Sequence, residues 1–202
     1  MMAADSEPHS QQYLIIGLGN PGREYRTNRH NIGFMLVDRL AGRLGVTFSR
    51  LESKALVTKA EYSGRRIVLA KPQTFMNLSG QAVVSLARFY KIPLENLLVA
   101  YDEIDLPFGT IRLRPGGGSA GHNGMASIIE RLGTQDYPRM RLGIGRPPGH
   151  MDAAAYVLQD FSRADEEALP VFLDCAVDAV LVFIGQGLMA AMNQYNGVIE
   201  GE

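Results

Sequence analysis

Cysteine is nearly absent from this 202-residue chain: Cys175 stands alone. A single thiol excludes an internal disulfide and any metal site built from cysteine only, and it suits a reducing compartment. Its surroundings, DCAVDA, read as helix core, so the thiol is given a packing role. Histidine is scarce as well. His9, His30, His122 and His150 show no H-x-x-x-H or H-E-x-x-H spacing, so the sequence offers no histidine metal motif. A targeting segment is also missing, because residues 1–12, MMAADSEPHSQQ, hold neither an Arg-rich nor an apolar stretch and read as a disordered tail. The most apolar region, 168–192, is interrupted by Pro170, Asp174, Asp178 and Gln186. Charges four apart there predict an amphipathic helix, with Pro170 kinking it or marking where its main part begins, and no membrane span. No internal repeat or interdomain linker is visible, and the length fits one domain able to bury a full core.

What is present is an ordinary globular composition, 46% hydrophobic and 20% charged. The net charge of −1 hides an asymmetry. Residues 1–150 carry +7 (19 Lys and Arg against 12 Asp and Glu), and residues 151–202 carry −8 (1 against 9). Segregation of this kind can give a nearly neutral protein a positive face fit for a phosphate-bearing partner. It is equally what a basic surface beside an acidic helix would produce.

Along the chain, YLIIGL (13–18) and NLLVAY (96–101) read as buried strands, the second ending at Asp102. Residues 55–61 and 66–70 straddle SGR as a hairpin, and 110–114 and 139–145 are further strands. Helical spacing runs from Ile32 to Leu44 and stops at Gly45. Further helices are predicted near 79–90, with Ser79 as cap, near 124–132, and over 163–192. Alternating strands and helices predict a single-domain α/β fold, a twisted mixed β-sheet flanked by helices. Ligand sites on such sheets lie beyond the carboxyl ends of strands, which puts Asn20–His30 and Asp102 in one crevice.

Three loops could carry chemistry. Gly17-Leu18-Gly19-Asn20-Pro21-Gly22 matches G-x-G-x-x-G, but REYRTNRH intervenes before any helix, so no helix N-terminus meets a pyrophosphate. Gly117-Gly118-Ser119-Ala120-Gly121 matches G-x-S-x-G, but Pro115 and three glycines part the serine from its strand, where a nucleophile elbow needs direct entry. The third loop holds His30, flanked by Arg29 and Asn31 and preceded by Asn20, Tyr25, Arg26 and Asn28. A histidine there serves as a helix-end residue or as a general base near pH 7, with Asp102 as an orienting acid.

Taken together, GLGNPGREYRTNRHNIGFMLVD (17–38), KPQTFMNLSGQAV (71–83), YDEIDLPFGTIRLRPGGGSAGHNGMASI (101–128) and RMRLGIGRP (139–147) resemble the bacterial-type peptidyl-tRNA hydrolase family over roughly residues 13–190. The resemblance implies a catalytic domain over 13–193 and a C-terminal tail over 194–202. It implies His30 as the base that activates water and Asp102 as the group that holds its ring. Asn20, Asn77 and Asn123 would bind substrate near the ester, and Tyr25 and Met76 would line the crevice. Arg112, Arg114 and Arg141 are carried over as contacts to the tRNA backbone. The implied protein is a cytoplasmic monomer acting on peptidyl-tRNA, with no metal, no cofactor and no membrane partner. The same fold stripped of those polar residues would be an RNA-binding module, but Asn20, His30, Asn77, Asp102 and Asn123 are all present.

Overall fold

A computed structural model describes residues 11–198. Strand β1 (Gln12–Gly17) lies at the centre of an eight-stranded sheet. The other strands are β2 (Arg50–Glu52), β3 (Ala55–Tyr62), β4 (Arg65–Pro72), β5 (Leu97–Glu103), β6 (Thr110–Arg114), β7 (Arg139–Gly143) and β8 (Gly197–Val198). Their order is β2-β3-β4-β1-β5-β7-β6-β8. The inner strands β4, β1, β5 and β7 run parallel, and β2, β3, β6 and β8 join as antiparallel edges. The centre is covered on both faces, and every residue of β5 is buried, which is why β1 and the first part of β5 read as unbroken apolar runs.

Helices α1 (Ile32–Arg43), α5 (Arg163–Gln186) and α6 (Leu188–Tyr195) cover one face, and α2 (Ser79–Phe89) and α3 (Asn123–Leu132) the other. Helix α5 is long and apolar enough by composition to cross a membrane. Its Phe172, Val177, Val180, Phe183 and Ile184 are buried in the core beside α1. The two helices are also joined by Arg39 and Arg43 on Asp174 and by Arg43 on Asp178.

Several sequence expectations need correction. The hairpin, the four other expected strands and the mixed α/β sheet are as expected. Strand β2 and the short helix α4 (Ala153–Val157) were not anticipated. Ser79 does not cap α2: Leu78 holds the cap position, and the Ser79 hydroxyl donates to the Met76 carbonyl at 2.8 Å. The helix expected over 163–192 breaks at Gly187, whose φ of 93° suits glycine. It runs unbroken through Pro170, because Pro170 and Glu166 both face outward and the carbonyl left without an N–H partner can be solvated. Gln12 belongs to β1 rather than to a tail, and residues 1–10 lie outside the described residues. Within the expected tail 194–202, Asn196 bonds the Leu113 backbone in both directions (2.6 and 3.1 Å), and Gly197–Val198 then pairs with β6.

The parallel strands β1 and β5 are neighbours whose following connections leave toward opposite sides of the sheet. Open α/β sheets carry their ligand crevice at such a point, beyond the strands' carboxyl ends.

Candidate active site

The chain leaves β1 through Leu18–Asn20 and re-enters α1 through a 3-10 turn, Arg29–Asn31. Glycine at two positions makes this approach possible. A Cβ on Gly33 would stand 2.5 Å from the Ala100 carbonyl and the Leu18 nitrogen, and one on Gly17 would stand 2.0 Å from the Gly33 carbonyl. With both Cβ atoms absent, the start of α1 lies directly on the ends of β1 and β5, and the turn sets His30 over Asp102.

Asparagines lock the loop. Asn31 Oδ1 accepts from the Asn20 backbone N–H at 2.9 Å, and Asn31 Nδ2 donates to the Asn20 carbonyl at 3.0 Å. Asn20 Oδ1 accepts the Met76 backbone N–H at 2.8 Å. The Asn20 amide is thereby oriented with its oxygen used, and its NH2 is the group left for a ligand. Arg29, buried, donates to the Gln159 and Asp160 carbonyls and lies over the Tyr156 ring at 4.2 Å.

His30 Nδ1 lies 2.8 Å from Asp102 Oδ1, and His122 Nε2 lies 3.0 Å from the same oxygen. The proton positions follow from the partners of each ring. His122 caps α3, its Nδ1 accepting from the Met125 N–H at 3.3 Å, so the proton of the neutral ring sits on Nε2 and is donated to Asp102. His30 likewise donates through Nδ1, which leaves the lone pair of its Nε2 free. Burial pushes the Asp102 carboxyl up, but the attraction of His122 and His30 in their protonated forms and the hydrogen bonds from both rings outweigh it and hold the group well below the usual carboxylate range. Asp102 is therefore a buried, permanent anion between two rings.

His30, Asp102 and His122 also offer three donor atoms within 4.8 Å of one another, a set that could hold a metal ion. The proton positions oppose that use. A metal on His122 Nε2 would move the ring proton to Nδ1, where it would face the Met125 N–H and uncap α3.

These groups open into a crevice of ≈ 680 Å³ also lined by Asn20, Met76, Asn77 and Asn123. Six of the seven residues expected at the ester therefore meet there, and Tyr25 does not. It ends a separate 3-10 turn, Arg23–Tyr25, and is not among the lining residues. Ser119, the formal elbow serine, does not line the crevice either.

Arg112 and Arg114 alternate with the core residues Ile111 and Leu113 on β6, and β7 pairs them with Arg141 and Arg139. All four arginines therefore stand on one sheet face. Arg141 is partly committed, with Nε 2.9 Å from Glu103 Oε2. Sequence reading missed three structural contributors: His122, Asn31 and Arg139. Arg139 is 1% exposed and holds the glycine-rich loop through the carbonyls of Gly117, Gly118 (3.2 Å) and Gln135 (2.7 Å). The sequence signal for His122 was its place just before a helix, the same signal that singled out His30.

A crevice at the switch point of an α/β sheet, with an imidazole held by a buried carboxylate, is an arrangement able to do acid–base chemistry. Residues 14–201 match the family model described as peptidyl-tRNA hydrolase. A peptidyl-tRNA hydrolase of Chloroflexus aurantiacus is 54% identical over 185 residues, 91% of this chain and 98% of that protein. The chloroplastic enzyme of Arabidopsis thaliana is 50% identical over 183 residues, 90% of this chain and 64% of that protein. The crystal structure of the Acinetobacter baumannii peptidyl-tRNA hydrolase superposes with a TM-score of 0.86 at 35% identity, covering 94% of this chain and 99% of that one. A peptidyl-tRNA hydrolase crystallised with N-propanol gives 0.87 at 37% identity, over 94% and 96%. The chain belongs to the peptidyl-tRNA hydrolase family.

Proposed function

We propose that this enzyme hydrolyses the ester joining a peptide to the 3′ ribose of tRNA, by direct attack of a water that His30 activates. The observation that carries the reading is the 2.8 Å contact of His30 Nδ1 with Asp102, which turns the free His30 Nε2 toward an amide-lined crevice. Water gives its proton to Nε2 as its oxygen bonds the ester carbonyl carbon. The tetrahedral intermediate then expels the ribose oxygen, which takes the proton back from His30, and no enzyme acyl intermediate forms. Base catalysis supplies roughly 10²–10⁴-fold. Each oxyanion donor adds on the order of 10²–10³-fold. The Asn20 NH2 suits that duty, and Asn77 and Asn123 supply further amides for the peptide or the water. Base and donors all come from side chains, so the step needs no cofactor.

Arg112, Arg114 and Arg141 are proposed to meet the tRNA backbone, since guanidinium groups bind phosphate bidentately. The enzyme is proposed to work as a cytoplasmic monomer without a membrane partner. The test compares peptide release from an N-blocked aminoacyl-tRNA by the enzyme and by His30→Ala. Turnover should collapse in the variant while tRNA affinity stays within about threefold, because His30 supplies one ring at the ester and the proposed phosphate contacts lie elsewhere. Full activity in His30→Ala would overturn the assignment.

A further inference from the structure

His30 is held through its ring and through its backbone. The ring is held where Nδ1 meets Asp102. The backbone is held by a closed turn, in which the Asn28 carbonyl accepts the Asn31 N–H at 3.0 Å across Arg29 and His30. The place of Asn28 therefore sets the place of the turn, and with it the approach of the ring to Asp102.

Asn28 is itself placed by a distant segment. Asp160, beyond α4, accepts the Thr27 hydroxyl and the Asn28 side-chain N–H on one oxygen, Oδ1, both at 2.8 Å. Asn28 and Asp160 also form an antiparallel backbone bridge, and the Arg29 N–H donates to the Gln159 carbonyl at 3.0 Å. Hydrogen bonds to a carboxylate are shorter and stronger than those between neutral groups. Asn28 stands at the cap position of the His30 turn with an extended backbone, yet its side chain makes no cap bond. An asparagine there ordinarily turns its oxygen to the turn's own N–H groups. This one is buried and gives its amide N–H to Asp160 instead.

The supporting segment is anchored in its turn. The buried Tyr156 donates its hydroxyl to the Ile144 carbonyl at 3.0 Å and carries the Arg29 guanidinium over its ring at 4.2 Å. Arg29 donates to the Gln159 and Asp160 carbonyls. Asp160 is exposed and is not among the residues that line the crevice, so its route to the reaction runs through the turn.

We infer that Asp160 is a positioning residue for His30, holding Thr27 and Asn28 so that the turn presents the ring to Asp102. The inference rests on the reading of His30 as the base. The test compares Asp160→Ala and Asp160→Asn in the full chain by single-turnover release of peptide from an N-blocked aminoacyl-tRNA. Asp160→Ala removes both side-chain bonds. Its rate at saturation should fall on the order of tenfold, as a small misplacement of a catalytic group does, with the half-saturating concentration changed less than about twofold. Asp160→Asn keeps a neutral oxygen within reach of both donors and should restore the rate to within about threefold. The NMR resonances of the His30 ring, assigned by their loss in His30→Ala, should move in Asp160→Ala and return in Asp160→Asn. An unimpaired rate in Asp160→Ala overturns the inference even where its Tm falls, because the carboxylate would then only stabilise the fold. A loss that Asp160→Asn fails to restore overturns it as well, since charge and not hydrogen bonding would be at work. A raised half-saturating concentration at an unchanged rate would make Asp160 a substrate contact instead. His30→Ala, measured alongside, separates the two readings. Full activity there removes the base assignment and the inference with it, whereas an inactive His30→Ala beside an unimpaired Asp160→Ala removes the positioning role alone.

Discussion

Replacing Asp102 by Asn tests how the carboxylate acts. Both imidazoles bond the same oxygen, Oδ1. An asparagine can place its carbonyl oxygen there, accept both ring N–H groups, and keep both rings where they are. What it removes is the charge. On the proposed mechanism His30 becomes an imidazolium during attack, and a unit charge about 4 Å from a carboxylate is stabilised by about 4 kcal/mol at an effective dielectric near 20. At 1.36 kcal/mol per decade, kcat for an N-blocked aminoacyl-tRNA should fall by roughly a thousandfold, with KM changed less than about threefold. Single-turnover measurement separates this loss from product release. A stability measurement accompanies it. A carboxyl held below its ordinary range stabilises the fold fully above the unfolded pKa, about 3.9, and loses that contribution as pH falls through the lower folded value. The Tm difference between enzyme and variant should therefore persist from pH 8 down to about pH 4 and narrow only below it. A turnover rate within threefold of the unsubstituted enzyme would refute the charge argument. A Tm difference that vanished by pH 6 would contradict the lowered carboxyl.

Other residues give separable outcomes. His122→Asn keeps a good helix cap but is too short to reach Asp102, so turnover should fall, and His122→Ala, which also loses the cap, should be about 1 kcal/mol less stable than His122→Asn by denaturant unfolding. Equal stability of the two variants would count against the cap. Arg114→Gln and Arg141→Gln should weaken tRNA binding and each flatten the dependence of log affinity on log salt by about one unit, measured by filter binding across salt concentrations. An unchanged slope would remove the phosphate contact. Gly33→Ala forces a Cβ to 2.5 Å from backbone atoms that cannot yield, and should cost about 1–3 kcal/mol by denaturant unfolding and lower kcat by displacing His30. A variant as stable and active as its parent would show that the approach is looser than the structure has it.

The sheet was legible because β1 and β5 are buried on both faces and leave unbroken apolar runs, and because alternation in Thr110–Arg114 marks a half-covered strand. Pairing order was not legible, since it depends on crossovers that periodicity does not encode. Helix α4 escaped notice because five residues, AAAYV, are too few to show a period, and its anchor Tyr156 is buried through contacts with distant segments, Arg29 and Ile144 among them. Tyr25, which the resemblance set in the crevice, ends a separate turn and is not among the residues that line it. Within the candidate site, the resemblance named residues that line the crevice and Asp102 as the holder of the His30 ring, but not the other residues that orient them. Asn31 and Arg139 act through backbone carbonyls and amides contributed by distant segments, and such contacts leave no pattern in a linear chain.

His122 joins the two kinds of residue. Its Nδ1 is committed to the first turn of α3, so its Nε2 proton must go to Asp102, and the loop that carries His122 is held by the buried guanidinium of Arg139. Disturbing the loop therefore acts on Asp102 through a proton rather than through a steric shift. Without the His122 N–H, the Asp102 oxygen is desolvated with one donor instead of two. A carboxylate with fewer donors is a less stable anion and gives a charged His30 a less stable pair. The glycine-rich loop, the α3 cap and the His30 pair are in this sense one hydrogen-bonded unit. The positions that set the chemistry of His30 consequently extend from Gly117 to Arg139, well beyond the residues that line the crevice.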